Sequence, residues 1–75
     1  MTEHETKLIA DEGNLIGQMR NHIATCVNDT KEKGIMWSHI DKEWALYEFL
    51  ACFAANMTVK DAQTLVKYVM EGENE

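Results

Sequence analysis

Proline is absent from this 75-residue chain, and only four glycines occur. A many-stranded β fold needs more turn-forming residues, so long helices with few connections are favoured. Cysteine is scarce too. Cys26 and Cys52 do not make a disulfide framework, and reduced thiols fit the cytoplasmic setting expected by default. The longest uncharged run of the apolar centre, Phe49 to Val59, is too short to span a bilayer, so no membrane is an expected partner. The opening Met1-Thr2-Glu3-His4-Glu5 is acidic and polar, where a secretory leader is basic and then apolar.

Positive charge is in deficit as well. Seven Lys and Arg face thirteen Asp and Glu, a net charge of −6. The imbalance sits at the two ends. Glu3, Glu5, Asp11 and Glu12 oppose only Lys7, while Glu71, Glu73 and Glu75 oppose nothing. From Asn14 to Met70 acids and bases cancel. The totals show no basic footprint for nucleic acid. A neutral body equally lacks the dense carboxylate coat of a protein imitating DNA. Solubility is the expected role of the acidic ends, about 1–5 and 72–75, which should fray.

What is present is ordinary globular material, 45% hydrophobic and 27% charged, in one small domain spanning 1–75. A chain this short buries only roughly 60% of the surface its unfolded form exposes. Helical periodicity is its strongest signal. Leu15, Ile16, Met19, Ile23, Cys26, Val27 and Thr30 fall on one stripe of a first helix. Leu8 and Ile9 precede Leu15 and Ile16 in phase with it, so we expect that helix to run from about Glu3 through Gly13, bent there. The competing reading takes Asp11-Glu12-Gly13-Asn14 as a breaker with Asn14 as N-cap. Gly34 after Lys31-Glu32-Lys33 marks the stop, as a left-handed glycine cap.

Ser38-His39-Ile40-Asp41 opens a second helix with a capping-box-like pair, ending near Asn56. One face carries Leu46, Phe49, Leu50, Phe53 and Met57. The adjacent face carries Ile40, Trp44, Tyr47, Ala51 and Ala54, leaving a polar wedge of Asp41, Ala45, Glu48, Cys52 and Asn56. A helix apolar on two faces needs two neighbours. The third helix begins at Thr58 with Asp61 as its capping partner and is stopped by Gly72. Its stripe is Val59, Ala62, Leu65, Val66, Val69 and Met70. The expected architecture is all-α: a long first helix, a buried central helix and a short C-terminal helix. Because one chain cannot easily cover both faces of the middle helix, we expect a homodimer.

Four constellations carry candidate chemistry. Cys52 to Val69 can be laid on a helix–turn–helix template, with Lys60, Thr64 and Lys67 facing DNA. Any corner with a capped second helix fits that template, and no flanking Arg cluster would clamp phosphate. His22 and Cys26 stand i,i+4, as paired zinc ligands can, with His39 and Cys52 as remote completions. No Cys-x-x-Cys pair accompanies them, so no metal and no cofactor is expected. His39, Asp41 and Glu43 cluster at a helix start, but acids there follow from the helix dipole, and no nucleophile or phosphate loop joins them. No catalytic set is expected. Ile35-Met36-Trp37 puts three large apolar residues into a connection, where polar ones are usual. They either fold back as a lid on the core or present an anchor to a partner.

A small-residue line, Ala10, Gly13, Gly17 and Ala24, lies opposite the first stripe and permits a second close contact. The expected function is non-enzymatic protein–protein binding: an inhibitor, adaptor or antitoxin-like regulator, of a size that phages and mobile elements encode. Its interface would be Met36, Trp37, Ile40, Trp44, Tyr47, Ala51 and Ala54, its partners a second copy and an unidentified protein target.

Overall fold

The computed structural model describes residues 2–73. The acidic terminus expected at Asn74 and Glu75 lies outside them. Among the described residues there is no strand, and four helices follow one another: α1 (Glu3–Asp11), α2 (Gly13–Lys31), α3 (His39–Phe53) and α4 (Val59–Glu73).

The single long first helix is corrected to two. The break falls at Glu12, whose φ of −103° and ψ of +27° take it out of helical geometry; it ends α1 and begins α2 with no side-chain cap. Backbone bonding continues around it, from the Glu12 N–H to the Leu8 carbonyl and from the Ile16 N–H to the Glu12 carbonyl. Asn14, the other candidate cap, is already inside α2. Residues 3–5, expected to fray, form the first turn of α1. Thr2 Oγ1 accepts from the Glu5 N–H at 3.2 Å, and the Glu5 carboxylate accepts from the Thr2 N–H at 3.5 Å and from the Thr2 hydroxyl at 3.1 Å. That reciprocal box satisfies donors a bare helix start leaves open.

At the end of α2, Gly34 has φ +79° and its N–H donates to the Lys31 carbonyl, while the Ile35 N–H donates to that of Thr30. This pair of bonds is the Schellman closure, and it fits the glycine signal in the sequence. At α3, Ser38 accepts from the Asp41 N–H at 3.2 Å and the Ser38 N–H donates to the Asp41 carboxylate at 3.0 Å. Helix α3 ends at Phe53, short of Asn56, which stays out of the left-handed region. Gly72 does not stop α4. Its φ is not positive and the helix passes through it, so α4 is as long as α3.

The core is built from three helices. Ile16, Met19 and Ile23 come from α2, Ala45, Leu46 and Leu50 from α3, and Leu65, Val66, Val69 and Met70 from α4. Ala45, placed on the polar wedge by its wheel angle, is buried: the inward side of α3 is turned towards it. Helix α1 packs on α4 and α2 but does not touch α3. Its Leu8 and Ile9 are half-buried against the core edge. His4 Nε2 lies 2.9 Å from Asp61 Oδ1, tying the start of α1 to the start of α4.

The body measures 41 × 27 × 19 Å. A helix with its side chains is about 10–12 Å across, so the shortest dimension holds two helix layers. Helix α3 is therefore covered on one side only. That corrects the buried central helix: α2 and α4 both pack on its inward face, and among the described residues none covers Ile40, Trp44 and Ala51 on the outer one.

Candidate functional site

The uncovered side of α3 is apolar. Ile40 is 63% exposed and Trp44 65%, and the connection before the helix adds Ile35 at 53% and Met36 at 91%. Ala51 is exposed and Tyr47 half-buried on the same side. Exposed single apolar residues need no explanation, but a patch exceeding a few hundred Å² on a small monomer marks a contact surface. A shallow groove bounded by Ile35, Trp37, Trp44 and Ala45 is rimmed by Asp41 and Glu48. An apolar centre inside a polar rim is the usual anatomy of a docking face.

Local structure explains why these residues stand out. The Gly34 closure turns the chain sharply out of α2. The Ser38 box then fixes where α3 starts, leaving Ile35 to Trp37 to bridge two rigid ends. The open question over this loop resolves residue by residue. Trp37 is half-buried and packs against the core, whereas Met36 and Ile35 face outward. Of the residues nominated from the sequence, Met36, Ile40, Trp44 and Ala51 lie on exposed surface, Tyr47 and Ala54 are half-buried, and Trp37 serves partly as a lid. Ile35 belongs to the same surface, and its membership of the Ile35-Met36-Trp37 triplet was the available signal. A second exposed pair, Phe53 at 71% and Val59 at 74%, flanks the α3–α4 turn.

The other constellations take different forms. His22 packs its ring on Phe49 with centroids 5.0 Å apart, and Cys26 Sγ lies 3.8 Å from His22 Nε2. His39 and Cys52 do not join them, and among the described residues no group of three or more His, Cys, Asp or Glu comes together to hold a metal ion. The acid–base trio divides as well: Asp41 is engaged in the Ser38 box, and Glu43 pairs with His39 at 2.8 Å.

Lys60, Thr64 and Lys67 line a groove between α1 and α4 together with Glu5 and Glu71. The Glu5 carboxyl is held below the ordinary value of 4.5, first by the Thr2 hydroxyl and then by the Thr2 N–H, with a smaller contribution from the Lys60 charge. A carboxylate thus stands beside the lysines that would have to meet phosphate. The α3–α4 connection, from Ala54 to Thr58, is longer than the three-residue turn of the template. Thr58 accepts from the Asp61 N–H at 3.2 Å, but the Asp61 carboxylate is engaged with His4. The small-residue line is bare: a side chain at Gly13 or Gly17 would meet nothing within 4 Å.

No helix among the described residues is long and apolar enough to cross a membrane. Against protein-family models, curated proteins and solved structures the chain finds no match.

Proposed function

We propose that this is a non-enzymatic protein that works by protein–protein binding, as an inhibitor, adaptor or antitoxin-like regulator. The observation that carries the reading is the exposure of four large apolar residues close in sequence, Ile35 and Met36 in the connection and Ile40 and Trp44 on α3, a helix whose other side is packed. Trp and Met are enriched in interface cores, where one buried aromatic anchor is commonly worth about 2 kcal/mol or more. The mechanism is occlusion: the loop tip and the adjoining α3 face dock on a target and cover the surface it works with. Net charge of −6 favours encounter with basic surfaces. Cytoplasmic action and self-association belong to the same proposal.

The test exchanges Ile35→Ser and Met36→Asp together. Both side chains are exposed, so melting should be unchanged. Used as bait in the source lysate, the variant should lose the proteins the native chain retains. Retention of the same proteins by both baits would show that the loop is not the docking element.

A further inference from the structure

We propose that the groove between the α2–α3 connection and α3 receives an arginine-bearing segment of a partner protein, with a guanidinium laid on Trp44 and paired to Asp41 or Glu48. This rests on the reading of that face as a docking surface and names the chemistry of its partner. The chain has two tryptophans, and both line this one groove. Ile35 and Ala45 complete its apolar lining, and its charged groups are the carboxylates of Asp41 and Glu48.

Spacing makes these groups one set. Asp41, Trp44 and Glu48 stand three and four residues apart, so they share one side of α3. One carboxylate lies a turn before the indole and the other a turn after it, about 10 Å from each other at 1.5 Å per residue. Both can take a cation. The Ser38 N–H engages Oδ2 of Asp41 at 3.0 Å, which leaves acceptor capacity on a group with two oxygens. Glu48 is exposed, and among the described residues the ion pairs are His4–Asp61 and His39–Glu43. The chain's own bases stay away from the groove. Lys42, the base of α3, is half-buried and lies about 160° round the helix from Trp44. Lys31 and Lys33, before the connection, do not line it.

Arginine suits this set better than lysine. A guanidinium is planar and weakly hydrated, stacks on an aromatic face and donates to a carboxylate as a fork, whereas an ammonium is a compact, strongly hydrated point charge. Ile40, one turn before Trp44, and Met36, beside Trp37, are exposed to apolar residues that flank the arginine. A second copy does not meet the need. Its one arginine, Arg20, is held over Tyr68 at 5.7 Å from the ring centre, and its own α3 face repeats the same two carboxylates.

The probe is the capped peptide Arg-Pro-Pro-Arg, added to the isotope-labelled full chain. Its polyproline backbone sets two arginines on one side about 9 Å apart, close to the carboxylate spacing. The two indole N–H signals, one for each tryptophan, should shift saturably together with the Glu48 amide. A citrulline analogue, which keeps the shape without the charge, should bind about tenfold more weakly, and Trp44→Leu and Glu48→Gln should each weaken the arginine peptide about threefold or more. Both positions are exposed, so melting should stay unchanged. Equal binding by the citrulline peptide would overturn the cationic occupant, and equal binding by a lysine analogue would overturn the stacked guanidinium. Methylguanidinium binding as tightly as the peptide would assign the groove to a small cation and not to a protein segment. A dimer that Trp44→Leu dissociates would assign it to a second copy. Unmoved indole signals would overturn the proposal outright. If the Ile35→Ser, Met36→Asp bait then still loses its proteins, the binding function stands with a partner of other chemistry.

Discussion

Gly34 and Gly17 show how differently one residue type acts inside a helix and just past its end. Gly34 holds φ +79°, a backbone that side chains with a Cβ adopt at a cost. Gly34→Ala should therefore destabilise by about 1 kcal/mol, read by chemical denaturation. Gly17 lies within α2 and faces open space, so Gly17→Ala should stabilise by about 0.5–1 kcal/mol through propensity alone. A loss at Gly17 would reveal a close neighbour on the small-residue line. Trp37 sits between the two fates its triplet offered. Packed half-buried against the core, it should lower the melting temperature when replaced by Ala, whereas Met36→Ala should leave melting unchanged. If binding fell and melting held for Trp37→Ala, its lid role would be wrong.

At the scale of elements, two of the starts rest on reciprocal boxes. Ser38→Ala should cost about 1 kcal/mol, the usual worth of an N-cap, measured as a shift in denaturation midpoint at constant slope. The Glu5 box on α1 adds a pH signature. Its carboxyl is more acidic in the folded chain than the ordinary 4.5 of the unfolded one. The sign follows: the stabilisation is fully present above that ordinary value and fades as pH falls through the lower folded value. The difference in melting between the native chain and Glu5→Gln should thus stay constant from neutral pH down to about 4.5 and shrink below it. A difference that grew on acidification would contradict the Thr2 hydroxyl and N–H as its cause. The Glu12 break was the element least legible beforehand. Leu8 and Ile9 keep phase with Leu15 and Ile16 whether the helix runs on or turns, because apolar phase records which side is inward and not whether the axis is straight.

For the whole molecule, stability should be concentrated in the three-helix core. Leu46 is completely buried between α3 and its two neighbours. Leu46→Ala should cost about 2–5 kcal/mol, a large share of the roughly 4–11 kcal/mol expected for a domain of this size. The outer face of α3 should show the reverse pattern, with Trp44→Ala changing association and leaving the separated chain's own unfolding unaltered. Equal damage from Leu46→Ala and Trp44→Ala in the separated chain would mean that Trp44 is internal.

The amino-acid pattern alone determined the helical class, the starts of α3 and α4, the glycine closure after α2 and the apolar character of both sides of α3. Those properties are local: a cap, a left-handed glycine or a stripe depends on neighbours within a turn or two of the same helix. Tertiary structure decided which side of α3 turns inward, burying Ala45 and exposing Ile40 and Trp44, and it decided that α1 folds onto α4, where it brings Glu5 beside Lys60 and Lys67. Those outcomes depend on how helices distant in sequence share a limited core. Two apolar sides of comparable greasiness look alike on a helical wheel, and only the fit of side chains from three helices distinguishes the one that is covered from the one left bare.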